Sequence, residues 1–290
     1  MRSELERKCA LVEEALSGYF TEKTDYNVLL EAMRYSLLAG GKRLRPVFLL
    51  FFCEAVGGEM EKALPAACAV EMVHTYSLIH DDLPCMDNDD YRRGRLTCHK
   101  VYGDDIATLA GDALLTAAFE TLSAMDGNPK QLIRCISLLA SGCGEHGMVA
   151  GQVLDMEGEK RTLNEQELRQ VHTHKTGDLI RAACQMGAVL GGGTEAQVQA
   201  AGEFALHLGM AFQIRDDMLD MMGSQEELGK PIGSDAQNGK STFVSLFGLE
   251  GCQSLVEEET ALALRALELG EFQNTDFLRE LALSLTSRTK

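Results

Sequence analysis

His80-Asp81-Asp82-Leu83-Pro84-Cys85-Met86-Asp87 closes an apolar run that begins near Ala63 and ends at Ile79. A run of that kind predicts a buried helix, and carboxylates at the end of a buried helix need something to offset them. Pro84 has no N–H and cannot continue a regular helix, so the wall bends there. In an unbroken helix Asp87 would point well away from Asp81. A bulge at Pro84 and Cys85 would bring it back and make a cluster of oxygen ligands suited to a hard divalent cation such as Mg2+. Taken alone, the cluster reads better as a solvated acidic helix end.

The device recurs at Asp216-Asp217-Met218-Leu219-Asp220. Asp216 and Asp220 are four apart and share a helical face, with Asp217 beside them. Like charges at that spacing destabilise a helix by a few tenths of a kcal/mol unless a cation offsets them. The preceding segment, Phe204 to Phe212, is again apolar. Two acidic clusters, each ending a buried helix, predict two walls facing across one cavity.

The bulk composition is consistent with this. The chain has 290 residues, 45% of them hydrophobic, with no linker or internal repeat to divide it, so residues 1–290 are expected to form one large helical domain. A net charge of −17 argues against nucleic acid as the main partner, and an anionic substrate would need local cations or a bridging metal. The nine cysteines are scattered, without CxxC or zinc spacing, which predicts reduced thiols and a cytoplasmic location. The charged N-terminus has no signal-peptide apolar region, and no stretch is long enough to span a membrane.

Periodicity predicts almost only helix, over roughly 3–19, 25–39, 60–82, 104–125, 130–157, 164–190 and 195–222, with a helical tail at 242–287 broken near Gly270 to Asn274. Between them lie the cations. Gly40-Gly41-Lys42-Arg43-Leu44-Arg45-Pro46 places three positive charges beside a helix start, a plausible phosphate site, although a basic surface turn explains the stretch alone better. Asn88 to His99 reads as a loop, and its adjacent Arg92 and Arg93 carry planar donor forks suited to phosphate. Glu71 and His74 sit on the first core helix. A lone His there is more often a satisfied core residue, but its position two turns before the first Asp cluster makes a ligand role competitive. Lys175 and Thr176 lie on an otherwise apolar helix, where a buried Lys is costly without an anion. Gln152 and Asp155 read equally as cavity lining or as a polar helix end. Asp112 is expected to be a buried carboxylate with a structural hydrogen bond. Lys230 and Lys240 follow the second cluster in a glycine-containing stretch, and read either as phosphate-closing residues or as ordinary surface lysines.

With these residues in this order the chain resembles the trans-isoprenyl diphosphate synthases from about Tyr35 to Thr242. The resemblance rests on Gly40 to Pro46, His74-Thr75-Tyr76-Ser77-Leu78-Ile79-His80, the first Asp motif with its Pro84-Cys85 insertion, Arg92-Arg93-Gly94, Lys175-Thr176 and Phe212 to Asp220. Terpene cyclases share the first motif, but their second follows an Asn/Ser/Glu pattern absent here. The resemblance implies an all-α fold, a single large helical bundle around a central cavity, usually in a homodimer. It implies three Mg2+ per site, replaceable by Mn2+, held by Asp81, Asp82 and Asp87 on one wall and Asp216, Asp217 and Asp220 on the other. Lys42, Arg45, His74 and Arg93 would bind isopentenyl diphosphate. Arg92, Lys175, Thr176, Gln213 and Lys230 would bind the allylic diphosphate, with Lys240 a weaker candidate. Asp81, Asp82, Lys175 and Asp216 are the implied catalytic set.

Product length is expected to follow from Tyr76, five residues before Asp81 and roughly 7–8 Å along the helix. In the family a bulky aromatic there stops the tail near C15, so Tyr76 with Ser77 favours farnesyl diphosphate over a C20 product. The alternatives are a C10 or C20 synthase, a non-catalytic partner of an active synthase, and a generic metal-binding helical protein. Loss of an Asp motif or of the Arg pair would point to the partner subunit, and neither is lost.

Overall fold

The structure is a computed structural model that describes residues 2–222 and 241–286. Lys230 and Lys240 lie outside the described residues. The elements are α1 (Arg2–Ser17), α2 (Asn27–Leu37), α3 (Leu44–Ala55), α4 (Met60–Asp81), β1 (Tyr91–Arg92), β2 (Arg95–Leu96), α5 (Cys98–Tyr102), α6 (Asp104–Ser123), α7 (Pro129–Cys143), α8 (Met148–Gly158), α9 (Glu165–His172), a π-helical turn (Thr173–Gly177), α10 (Asp178–Leu190), α11 (Glu195–Met222), α12 (Phe243–Leu269) and α13 (Asp276–Thr286). The fold is all-α, as expected, and among the described residues no helix is long and apolar enough to cross a membrane.

Two helices carry the architecture. Helix α4 packs against α3 and α6, and α10 packs against α3, α7 and α11, while α12 lies along α11. From Ala63 to Val73 nearly every residue of α4 is buried, so this helix is apolar all round rather than along one stripe. Its one charged member in that run is Glu71, 2% exposed. A second, smaller apolar cluster joins Leu168 and Val171 of α9 to Met210, Ile214 and Met218 of α11 and to Phe243, Cys252 and Val256 of α12. It lies under the second Asp motif.

The structure departs from the expected elements in three places. The expected helix over 130–157 is two, α7 and α8, parted at 144–147. Gly144 and Gly147 allow the chain to turn back on the carbonyls of Ala140 and Gly142, where a side chain would collide. The expected helix over 164–190 is interrupted by the π turn that carries Lys175 and Thr176. The expected loop near Arg92 is a hairpin, with Tyr91 paired to Leu96 and Arg92 to Arg95. Its two turn residues, Arg93 (φ 53°) and Gly94 (φ 75°), are both left-handed, which matches the twist of a two-residue hairpin. Asp112 also differs from expectation: its side chain is 61% exposed, with His80 Nε2 at 3.8 Å. Gly111, beside it, packs so closely on the His80 ring that the α4–α6 contact turns Asp112 outward.

Candidate active site

The cation wall is built at the start of α3. Gly40 (φ 78°) and Gly41 (φ 131°) are left-handed, which only glycine adopts at low cost. At Gly41 a Cβ would also meet the Arg93 guanidinium at 2.6 Å, so the hairpin's Arg93 lies directly on the glycine pair and donates to the Gly40 carbonyl. Arg43 caps α3 in a left-handed conformation (φ 47°). All its guanidinium nitrogens are used: Nε donates to Glu13 Oε1 (2.7 Å), Nη1 to Glu71 Oε1 (2.5 Å) and Nη2 to the Leu37 carbonyl (2.7 Å). Arg43 thus serves as a clamp joining α1, α2 and α4, and its neighbours Lys42 and Arg45 face the cavity.

That cavity, of about 360 Å³, is lined by Lys42, Arg45, His74 and Arg93 on one side and by Thr176 and Phe212 on the other. Five of the residues implied for substrate binding therefore converge. Arg45 Nε is shut off from solvent and has no hydrogen-bond partner among the described residues. Burial lowers the Arg45 pKa, opposed by Glu71 and reinforced by Arg93. His74 is pushed well below its ordinary value, first by desolvation and then by Arg45, Arg93, Arg43 and Arg92, so it faces the cavity as neutral imidazole. Lys42 Nζ lies 5.8 Å from the Phe212 ring centroid.

The first Asp motif bends as its sequence requires. Helix α4 ends at Asp81, and the Asp87 N–H returns to donate to the Asp81 carbonyl at 2.8 Å. The Pro84-Cys85 insertion is the bulge that folds Asp87 back. Desolvation raises Asp81 to about 6; Lys175 opposes the shift and Asp87 adds to it. Asp82 is buried and gripped by Arg92, whose Nε reaches both oxygens at 2.8 and 2.9 Å and whose Nη2 reaches one at 2.6 Å. The two residues implied for metal and for allylic diphosphate are here paired with each other.

The second wall comes from the π turn and α11. Gly151 of α8 abuts the π turn so tightly that any side chain there would collide with the Lys175 backbone. This approach sets Asp155 of α8 against Lys175, Nζ to Oδ2 2.5 Å. The charge of the half-buried Lys175 is thus offset by Asp155, which acts here as a counter-charge. Thr176 Oγ1 donates to Gln213 Oε1 at 3.3 Å. On α11, Asp216 is exposed, and Asp217 Oδ2 accepts the Phe243 N–H at 2.7 Å, which ties the second motif to the start of α12.

Among the described residues no three His, Cys, Asp or Glu side chains converge by themselves into a metal site. The donor set fits a hard divalent cation all the same. It is all carboxylate oxygen, and at Asp81 burial disfavours the charged form, which a bound cation would favour. Such a cation keeps part of its shell as water and completes it with phosphate oxygens.

Sequence reasoning passed over the Arg43 clamp, Glu13, Gly151 and His172. Arg43 is one of three cations within four residues, and nothing in the spacing says which of them is spent on carboxylates and a carbonyl. Gly151 and His172 matter only through helix–helix contacts.

The fold is that of a prenyltransferase. The chain belongs to the polyprenyl synthetase family, whose profile matches residues 26–280. It is 49% identical over 259 residues to the farnesyl diphosphate synthase of Geobacillus stearothermophilus, which covers 88% of this chain and 87% of that one. It is 47% identical over 258 residues to the heterodimeric geranylgeranyl pyrophosphate synthase large subunit 1 of Arabidopsis thaliana, 87% of this chain and 69% of that one. A crystal structure of an FPP/GFPP synthase from Zymomonas mobilis superposes with a TM-score of 0.88 at 35% identity, covering 98% of each chain.

Proposed function

We propose that this protein joins isopentenyl diphosphate head to tail to dimethylallyl and then geranyl diphosphate, giving farnesyl diphosphate. The observation that carries the reading is the orphaned Arg45 guanidinium N–H in a cavity shared with Lys42, Arg93 and neutral His74. A buried cationic donor without a partner is costly, and a diphosphate satisfies it. Lys42, Arg45, His74 and Arg93 bind isopentenyl diphosphate. Arg92, Lys175, Thr176 and Gln213 hold the allylic diphosphate, with Lys230 and Lys240 assigned to it from sequence alone.

Asp81, Asp82 and Asp87 would hold Mg2+ with Asp216, Asp217 and Asp220, three ions per site, in keeping with a family that uses divalent metal. Bound there, the ions would supply positive charge to the departing diphosphate. The allylic C–O bond breaks and its electron pair leaves with the diphosphate. The isopentenyl double bond attacks the allylic cation, and a proton is lost, with the departed diphosphate within reach to accept it. Lys175 and Thr176 present a positive charge and a hydroxyl beside the leaving group, and Phe212, Ile180 and Leu208 keep water from the cation. The protein works as one domain over residues 1–290, as a cytoplasmic homodimer.

Tyr76 supports the C15 assignment: it is 6% exposed on α4 and packs edge-on against His80, 5.7 Å between ring centroids. The likeness to a geranylgeranyl synthase subunit keeps a C20 product, or a partner-subunit role, as the second reading. The test gives purified protein isopentenyl diphosphate with either starter, with Mg2+ and with a chelator, and identifies products by mass spectrometry. A chelator-sensitive C15 diphosphate is expected. A C20 product overturns the length assignment, and no product from folded protein favours the partner subunit.

A further inference from the structure

Among the described residues, Gln213 makes two side-chain hydrogen bonds, both on one atom. Thr176 Oγ1 lies 3.3 Å from Gln213 Oε1, and His172 Nδ1 lies 3.2 Å from the same oxygen. An amide oxygen has two lone pairs, so a hydroxyl and a ring N–H can both donate to it. Which ring nitrogen carries the proton follows from the other one. His172 Nε2 is buried and has no partner among the described residues. A buried N–H without an acceptor is rarer and costlier than a bare acceptor nitrogen, so the proton belongs on Nδ1, where Gln213 waits for it. Burial holds His172 down to about 4, so the ring is neutral and carries only that one proton.

The ring cannot easily turn away. It stacks on Phe243 with centroids 5.5 Å apart and planes 25° from parallel. Phe243 is fully buried, and its own N–H is spent on Asp217. The amide is therefore held by its oxygen from two sides, and among the described residues its NH2 makes no hydrogen bond.

We propose that His172 is a positioning residue of the allylic site: as the Nδ1–H tautomer it fixes the orientation of the Gln213 amide, so that Gln213 meets the allylic diphosphate as a hydrogen-bond donor. The inference rests on the assignment of Gln213 to that diphosphate. Without His172, the amide turns over at little cost, since Thr176 can accept as well as donate. It then presents oxygen to an anion.

The experiment is steady-state kinetics with geranyl diphosphate and isopentenyl diphosphate varied separately, in the full-length protein. His172→Phe keeps the stacked ring and removes the donor. It is expected to raise KM for geranyl diphosphate about tenfold, the loss of one well-placed hydrogen bond, and to leave KM for isopentenyl diphosphate within about twofold. His172→Asn, whose amide N–H falls near the Nδ1 position, is expected to restore most of the affinity. His172→Gln, whose donor falls near Nε2, is expected not to, and this pair decides the matter if His172→Phe does not fold. An unchanged geranyl KM in His172→Phe, or Asn and Gln behaving alike, overturns the proposal. Gln213→Ala separates the two levels: if it also leaves the geranyl KM unchanged, the allylic assignment of Gln213 has failed; if it raises that KM while His172→Phe does not, only the positioning role has failed.

Discussion

Arg92 and Asp82 form a fork-to-fork pair, with Nε and Nη2 of the guanidinium on the carboxylate at 2.6–2.9 Å and the Asp82 side chain 4% exposed. The pair lets the first Asp motif stay folded against a buried helix end while it carries a charge. Burial still raises the Asp82 pKa in spite of Arg92. Arg92→Ala would leave that carboxylate without its cation and is expected to cost about 1–3 kcal/mol, at the lower end because Arg92 is 32% exposed. Thermal melts with and without Mg2+ read this out. The ion is expected to recover more of the melting temperature in Arg92→Ala than in the parent, because it replaces the missing positive charge. Equal shifts would show that Asp82 takes no part in holding metal.

Glu71 is the counter-charge of the cation wall. It accepts from Arg43 at 2.5 Å with both side chains buried, and it also lies within the field of Arg45. Glu71→Gln keeps the shape and removes the charge. Breaking one side of a buried ion pair costs on the order of 3 kcal/mol. Arg43 would remain held by Glu13, so the expected result is a folded protein, less stable by about 2 kcal/mol in denaturant melts, with a raised KM for isopentenyl diphosphate. A stability loss with an unchanged KM would confine Glu71 to the core.

Gly151→Ala tests the packing that aims Lys175. The new methyl group would overlap the Lys175 backbone, which cannot swing aside as a side chain could. Helix α8 must then retreat from the π turn and carry Asp155 with it. A fall in kcat of tenfold or more is expected, with a much smaller change in either KM. Parent-like turnover would mean that the α8 contact does not place Lys175.

Tyr76→Ala removes a buried ring that packs edge-on against His80 on the same helix, where Gly111 of α6 brings the neighbouring helix in close. On the proposed C15 reading, the space released lets the growing tail run further. The expected outcome is a shift from C15 toward C20 and longer diphosphates by mass spectrometry. An unchanged product profile would place the floor elsewhere.

Glu259 of α12 gives the fold an acid limit away from the site. It accepts from Arg169 of α9 and His207 of α11, each at 2.7 Å. Burial pushes its pKa up, but those hydrogen bonds and charges outweigh burial and leave the carboxyl below its ordinary 4.5. A depressed folded-state value means that the contribution is complete above the unfolded value and is lost as pH falls through the folded one. Glu259→Gln should therefore melt lower than the parent at neutral pH, by about 1–2 kcal/mol, with the gap closing below pH 4.5. A gap that persists into strong acid would assign the loss to packing.

Helix content, the buried character of α4, the bend at Pro84 and the two acidic ends follow from local rules, and local rules can be read along a chain. Apolar runs choose helix, proline stops it, and Asp216 with Asp220 must share a face. The split of α7 from α8 and the π turn at Thr173–Gly177 were not legible, because each depends on what packs against it: the carbonyls of Ala140 and Gly142 in one case, Gly151 in the other. The Arg93-Gly94 hairpin had its signal in the glycine, but a two-residue ladder is too short to show an alternating pattern.

The sequence by itself determined which chemistry is present: oxygen donors in two clusters, cations between them, and an aromatic one turn above the first Asp. Only the tertiary structure decided how those groups are divided among tasks. It turned Arg43 into a clamp and left Arg45 Nε without a hydrogen-bond partner among the described residues, set Arg92 on Asp82 and Lys175 on Asp155, and tied Asp217 to Phe243. The physical reason is range. Charge and residue type are properties of a position, but a hydrogen bond between residues tens of positions apart exists only once helices have packed and fixed which of several equivalent side chains is paired.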